Sequence, residues 1–157
     1  MLIAVDTPTG AAYDLVLLAH IVVAALSAVV VAVAVGQAQA LRRAGAPSDE
    51  LKRYYSGKVN WAGRLVHLLP ISGMALVGMS RGAYAFGQLW IVIGLVAWLG
   101  ISAVLEAMAW PAEREAASKL DDEAARAALA GRALTGLWIA GLGLVATAVV
   151  MVAQPGS

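Results

Sequence analysis

Four long apolar runs, separated by short polar connections, set the pattern of this chain: about Tyr13–Gly36, Asn60–Met79, Gln88–Trp110 and Gly131–Ala153. About 20 helical residues, rising ~1.5 Å each, cross a hydrocarbon core of ~30 Å, so each run has the length of a transmembrane helix. A bilayer core holds no water to satisfy open backbone groups, so helix is the state that such runs must take. The predicted fold is all-α: a four-helix transmembrane bundle, up-down-up-down, forming a single integral membrane domain over residues 1–157.

Punctuation between the runs predicts how the helices begin and end. Gly45-Ala46-Pro47 should break the first helix. Ser48 then reads as an N-cap, with Asp49 and Glu50 favourable in a first turn, and the new helix is expected to run straight into the second span. Pro111 should close or kink the third helix. Asp121 and Asp122 can start the fourth, whose first turns, Glu123–Arg132, are expected to stand in water. The connection Ser80–Gly87 is short, which predicts that the second and third spans are close antiparallel neighbours. Ala38-Gln39-Ala40 resembles a signal cleavage site, but no Lys or Arg precedes the first run. A signal h-region is also shorter, ~7–15 residues, so the first run is expected to be a retained helix.

Composition narrows the class. Hydrophobic residues make up 61% of the chain and charged residues 13%, too few to cover a water-soluble domain. The net charge of +1 and the absence of a basic cluster interleaved with aromatics exclude a nucleic-acid partner. With no cysteine, disulfides, thiolate metal sites, iron–sulfur clusters and Cys-attached haem are excluded. The bases fall in alternate connections. Arg42, Arg43, Lys52, Arg53 and Lys58 occupy the first; Arg114, Lys119 and Arg126 occupy the third, with Arg132 at its border. The second holds only Arg81, and the N-terminal segment carries Asp6 and Asp14 without a base. The positive-inside rule then places both termini outside the cytoplasm. Heavy use of Ala, Gly and Val points to a high-GC bacterial genome and hence to the inner membrane.

Tyr13, Tyr84 and Trp90 on one side, and Tyr54, Tyr55, Trp61 and Trp110 on the other, fit interfacial belts. Trp98 and Trp138 sit deeper and suit packing or a cofactor wall. Small residues recur at four-residue spacing in Ala24/Ala28, Ala32/Gly36 and Gly136/Ala140. Such faces serve packing within the bundle or, alternatively, a homodimer or another membrane subunit.

The candidate chemistry lies in polar groups at depth, where their cost gives them a reason to exist. The only two histidines, His20 and His67, lie inside the first and second runs. Neutral imidazole ligates haem iron and copper. In antiparallel helices their Cα heights would differ by less than ~10 Å for spans of ~30 Å, so a bis-histidine haem site and two separate sites are both open. So is plain hydrogen bonding to a neighbouring helix. Arg64 and Glu106 should meet at similar depth, either as an orienting ion pair or as functional groups, with Arg64 gripping a carboxylate and Glu106 relaying protons. Ser102, one turn away, is expected to join that network. Met74, Met79 and Met108 bring in copper as a weaker reading, since thioethers suit Cu(I). The chain has no phosphate-loop, nucleophile-elbow, zincin or dinucleotide motif.

The run Leu17-Leu18-Ala19-His20-Ile21-Val22-Val23, leading to Arg42-Arg43, resembles the first helix of two related groups, the bacterial membrane protoporphyrinogen oxidases and the copper-resistance D-type membrane domains. Arg64-Leu65, then Pro70 and Gly78, is similar to the second helix of that group. Trp90 through Trp98 to Pro111 most resembles the predicted integral membrane proteins of domain-of-unknown-function family 2269. The resemblance implies a helical bundle whose first-helix histidine, His20 here, binds haem. The chain departs from the oxidases in two places: Ala24-Ala25-Leu26-Ser27 replaces their Trp-Phe-x-Gly-type stretch, and no lysine occurs in the third span. The function expected is b-type haem binding for a redox or haem-handling role. His20 and His67 are its candidate cofactor and metal ligands, and Arg64 its propionate partner. A non-catalytic accessory or assembly subunit of a larger membrane complex is the alternative from another class.

Overall fold

The computed structural model describes residues 10–56 and 60–155; Asp6 and Lys58, which entered the charge argument, lie outside them. The order is α1 (Ala11–Arg43), α2 (Asp49–Tyr54), a 3-10 segment (Ala62–His67) leading into α3 (Leu68–Met79), α4 (Leu89–Val104), a π-helical turn (Leu105–Ala109) leading into α5 (Trp110–Ala117), and α6 (Glu123–Ala153). Four helical stretches, Ala11–Arg43, Ala62–Met79, Leu89–Ala117 and Glu123–Ala153, are long and apolar enough to cross a membrane. Each contains one of the predicted apolar runs or nearly all of it. The chain is therefore all-helical among its described residues and has the make-up of a multi-pass membrane protein.

The outward faces agree with that solvent. Leu15, Leu18, Ile21 and Val29 of α1, Val96 and Leu99 of α4, and Leu142, Val145 and Val149 of α6 are all exposed large apolar side chains. In lipid this costs nothing, and association must come from close packing. Helix α6 supplies it. Gly136 lies so close to Ala109 and Met108 that an added Cβ would sit 3.2–3.4 Å from them, and Gly141 approaches Val31 at 3.5 Å by the same measure. Gly143 meets Ile101 at 2.8 Å. These contacts run antiparallel, joining α6 to α1 on one side and to α4 on the other. The core they enclose includes Val31, Ala34, Ala38, Ile101, Leu105, Leu137 and Leu144.

Two expectations about packing are corrected here. Of the small-residue pairs, Gly136/Ala140 is buried, but Ala28, Ala32 and Gly36 face outward. The packed stripe of α1 is Ser27, Val31, Ala34, Ala38 and Leu41 instead. The second and third spans meet through the 3-10 segment Ala62–His67 at one end, but α3 and α4 scarcely touch. Helix α1 packs on α3 and α6, and α6 packs on α4, while α3 and α4 meet only sparsely. A short connection ties two helix ends together; it does not force side chains between them to interlock.

The end that carries most of the bases has a second small core of Leu41, Leu51, Tyr55, Ala116 and Ala130. Ser48 caps α2 as predicted, its hydroxyl accepting from the Leu51 N–H at 3.3 Å. That helix does not run on into the second span: Tyr55 leaves the helical region at φ −87°, ψ 44°, so α2 stops after 6 residues. Asp122 caps α6, accepting from the Ala125 N–H at 3.0 Å. The expected solvation of Glu123–Arg132 is overturned at its centre, because Arg126 is only 2% exposed. Its guanidinium donates to the carbonyls of Leu120, Ala44 and Gly45, and so closes the carbonyl ends of α1 and of the segment after α5. A cation at a helix C-terminus is favoured by the dipole and by the unpaired carbonyls there.

Pro111 neither closes the third helix nor ends the span. Proline deprives the preceding turn of one hydrogen bond and crowds it. Here the preceding turn is the wide π-helical one, Leu105–Ala109, and the helix continues past the proline to Ala117.

Candidate functional site

The two irregular turns position the polar cluster. In a 3-10 helix residues i and i+3 eclipse one another, so Arg64 and His67 of the segment Ala62–His67 project on one side. Asn60 starts that segment by accepting from the Gly63 N–H at 3.1 Å. Gly63 packs tightly: a Cβ there would sit 3.2–3.4 Å from the Trp110 indole. Across from it, the π-helical turn carries Glu106. Such turns insert one residue, re-aim the side chains around them, and recur at functional sites.

Glu106 Oε1 lies 3.2 Å from Arg64 Nη1 and 3.4 Å from His67 Nε2. Arg64 also stacks over Trp110 at 5.0 Å and Trp61 at 5.9 Å from the ring centroids. The His67 ring stands edge-on to Trp98 at 6.2 Å and Trp110 at 5.9 Å. Trp98 is held in turn by its indole N–H, which donates to the Val66 carbonyl at 3.1 Å. The result is one carboxylate oxygen that accepts from Arg64 and has His67 Nε2 close by, beside three indoles. Arg64, His67 and Glu106 keep 33%, 32% and 41% of their side-chain surface open, so the cluster is reachable and the charges are partly screened.

His20 has a different partner. Its Nδ1 lies 2.7 Å from the Ser72 hydroxyl oxygen on α3, and that hydroxyl lies 2.8 Å from the Leu68 carbonyl and 3.1 Å from that of Leu69. A hydroxyl has one proton: where the helix carbonyls take it, Nδ1 donates to Ser72 and Nε2 keeps its lone pair, and where Nδ1 takes it, the ring proton sits on Nε2. The edge of the imidazole lies against Gly73, where an added Cβ would be 3.6 Å from Cε1.

The structure thus brings Arg64, Glu106 and His67 together and holds His20 apart, on Ser72. His20 reaches Ser72 of the second span from α1, and His67, within that span, faces Glu106 of the π-helical turn. Ser102 does not join the ion pair: it is buried, and its hydroxyl has no hydrogen-bond partner among the described residues. Met108 packs on Gly136. Among the described residues no three His, Asp or Glu side chains form a group able to hold a metal ion. Comparison with protein-family models, curated proteins and solved structures found no match.

Ser72 and the grouping of the three indoles escaped the sequence reading. The Ser72 position carried a faint signal, a hydroxyl deep in an apolar run. The grouping carried none, because indoles on three segments converge only through packing. Of the residues expected in interfacial belts, Tyr13, Tyr55, Trp90 and Trp110 are packed inside the protein.

Proposed function

We propose that this chain is a multi-pass protein of the bacterial inner membrane, with its basic end in the cytoplasm, that binds a b-type haem on His20 for a redox or haem-handling role. One observation carries the reading: His20 Nδ1 lies 2.7 Å from the Ser72 hydroxyl, so that with the proton on Nδ1 the Nε2 lone pair is left to ligate a metal. Metal-bound histidines characteristically spend their other ring N–H in this way, which fixes the tautomer and the ring plane. The donor set therefore fits a haem with one protein imidazole. When bound, the haem would supply one-electron chemistry.

The remaining residues have their own tasks. Ser72 orients the ligand. His67 is engaged by Glu106, which favours a single histidine over a bis-histidine pair. Arg64 is likewise held by Glu106, so its use for a propionate would require that ion pair to open.

The test is an absorption spectrum of protein purified in mild detergent, before and after dithionite, with hemin added where needed. A Soret band is expected in the wild type and in His67→Ala. It should be lost in His20→Ala and weakened in Ser72→Ala. A featureless wild-type spectrum, or a fully loaded His20→Ala, removes the assignment.

A further inference from the structure

One carboxyl at the basic end is buried without a bond. Glu113 of α5 is 9% exposed, and its Oε1 has no hydrogen-bond partner among the described residues. It lies past Trp110, where the apolar run of the third span ends. Ala116, one turn further along α5, is wholly buried in the second core with Leu51 and Tyr55. The groups that face Glu113 are the phenols of Tyr54 and Tyr55, both of which feel its charge. Tyr55 is itself buried, and its hydroxyl is unpaired as well. Two buried polar groups therefore lie close together where the end of α2 packs on α5, and neither is bonded.

Among the described residues no cation bonds the carboxyl. The charged side chains of α1 and α2 are all exposed, and so are those of α6 except Arg126, which is spent on three carbonyls. Glu106, earlier on the same span, is engaged by Arg64. Exposed Arg114, next in the chain, draws on Glu113, but burial outweighs it and lifts the carboxyl from 4.5 to about 7.

A buried carboxylate without a donor either keeps its proton or reaches water. To reach water, an element that covers it must move. Helix α5 continues the third span and α6 the fourth, so both are anchored along their length. Helix α2 has 6 residues, well short of the ~12–15 that a helix needs to persist alone, and Leu51 and the adjoining Tyr55 are its hold on the second core. It is the part that can yield.

We propose that Glu113 is a pH-sensitive latch: while it is protonated α2 docks against α5, and when it ionises α2 is released. The docked state holds the proton more tightly than the released state, in which the carboxyl returns to its ordinary value. Docking is therefore strongest below about pH 4.5, weakens as the pH rises to about 7, and changes no further above that. Tyr54 also lies beside the side chain of Asn60, which caps the segment of Arg64 and His67, so release of α2 would be felt there.

The experiment measures amide hydrogen exchange of the full chain in phosphatidylcholine nanodiscs, as protection factors over Asp49–Tyr54, with α6 as the reference for intact packing. In the wild type, protection of α2 should fall on the order of tenfold between about pH 5.5 and about pH 8, with α6 unchanged. Glu113→Gln, neutral and of the same shape, should keep α2 protected at both. Infrared spectra of the wild type add a check that needs no variant: one protonated carboxyl stretch should persist at about pH 5.5 and vanish by about pH 8. The proposal is overturned if wild-type α2 is equally protected at both, if α2 and α6 lose protection together, if Glu113→Gln does not hold α2 at both, or if every carboxyl has titrated in the ordinary range.

Discussion

Replacing Arg126 tests how the basic end is held. The side chain is 2% exposed and serves three carbonyls, those of Ala44, Gly45 and Leu120. Arg126→Met keeps the length and the apolar stem but removes every donor. Three acceptors left without partners cost about 1–3 kcal/mol each. Removing the buried cation returns several kcal/mol of desolvation, which caps the net effect. Two helix ends that favour a positive charge reduce that return by up to ~2 kcal/mol. The balance is a loss of about 3 kcal/mol. Arg126→Lys keeps the charge but not the fork, and should lose about half as much. The assay is equilibrium unfolding of the detergent-solubilised protein, followed by tryptophan fluorescence, with hydrogen exchange over Asp49–Tyr54 as a local readout. Helix α2 is attached through this end, so its amides should exchange faster in Arg126→Met before global stability changes. A methionine variant within ~0.5 kcal/mol of wild type, with α2 protected as before, would refute the reasoning.

Other outcomes follow from particular contacts. Gly143→Ala forces a Cβ to 2.8 Å from Ile101 Cγ1 and should cost about 1–3 kcal/mol, and Ile101→Val, which keeps that carbon, should restore little of it in the double variant. Gly94→Ala meets only the flexible end of Met151 and should be milder in the same unfolding assay. In a double-mutant cycle, Arg64→Gln and Glu106→Gln should couple by less than about 1 kcal/mol if water reaches the partly open pair, and a much larger coupling would mean that lipid or protein seals it. Tyr54 and Tyr55 have phenols raised above 10.0, mainly by burial and next by Glu113. The folded state therefore holds their protons longer than the unfolded chain does, and stability should fall as pH rises above about 10. An ultraviolet titration should show these phenols ionising only with alkaline unfolding.

The number of helices, their class and their approximate bounds were legible in the sequence, because length and hydropathy act locally and a bilayer leaves no other backbone state open. The caps at Ser48 and Asp122 were legible for a similar reason: a cap is a contact over three residues. The Arg64–Glu106 pair could also be anticipated, since two charges at one depth in antiparallel spans have few other partners. What the sequence did not contain was sideways information. Every side of a membrane helix is apolar, so hydropathy cannot say which side of α1 meets α6, nor that α3 and α4 would stand apart. It could not foresee that Pro111 would be absorbed by a π-helical turn, that Arg126 would turn inward to close helix ends, or that His20 and His67 would part company. Those outcomes depend on which small residues let two backbones approach, and that choice is made only when all four helices pack at once.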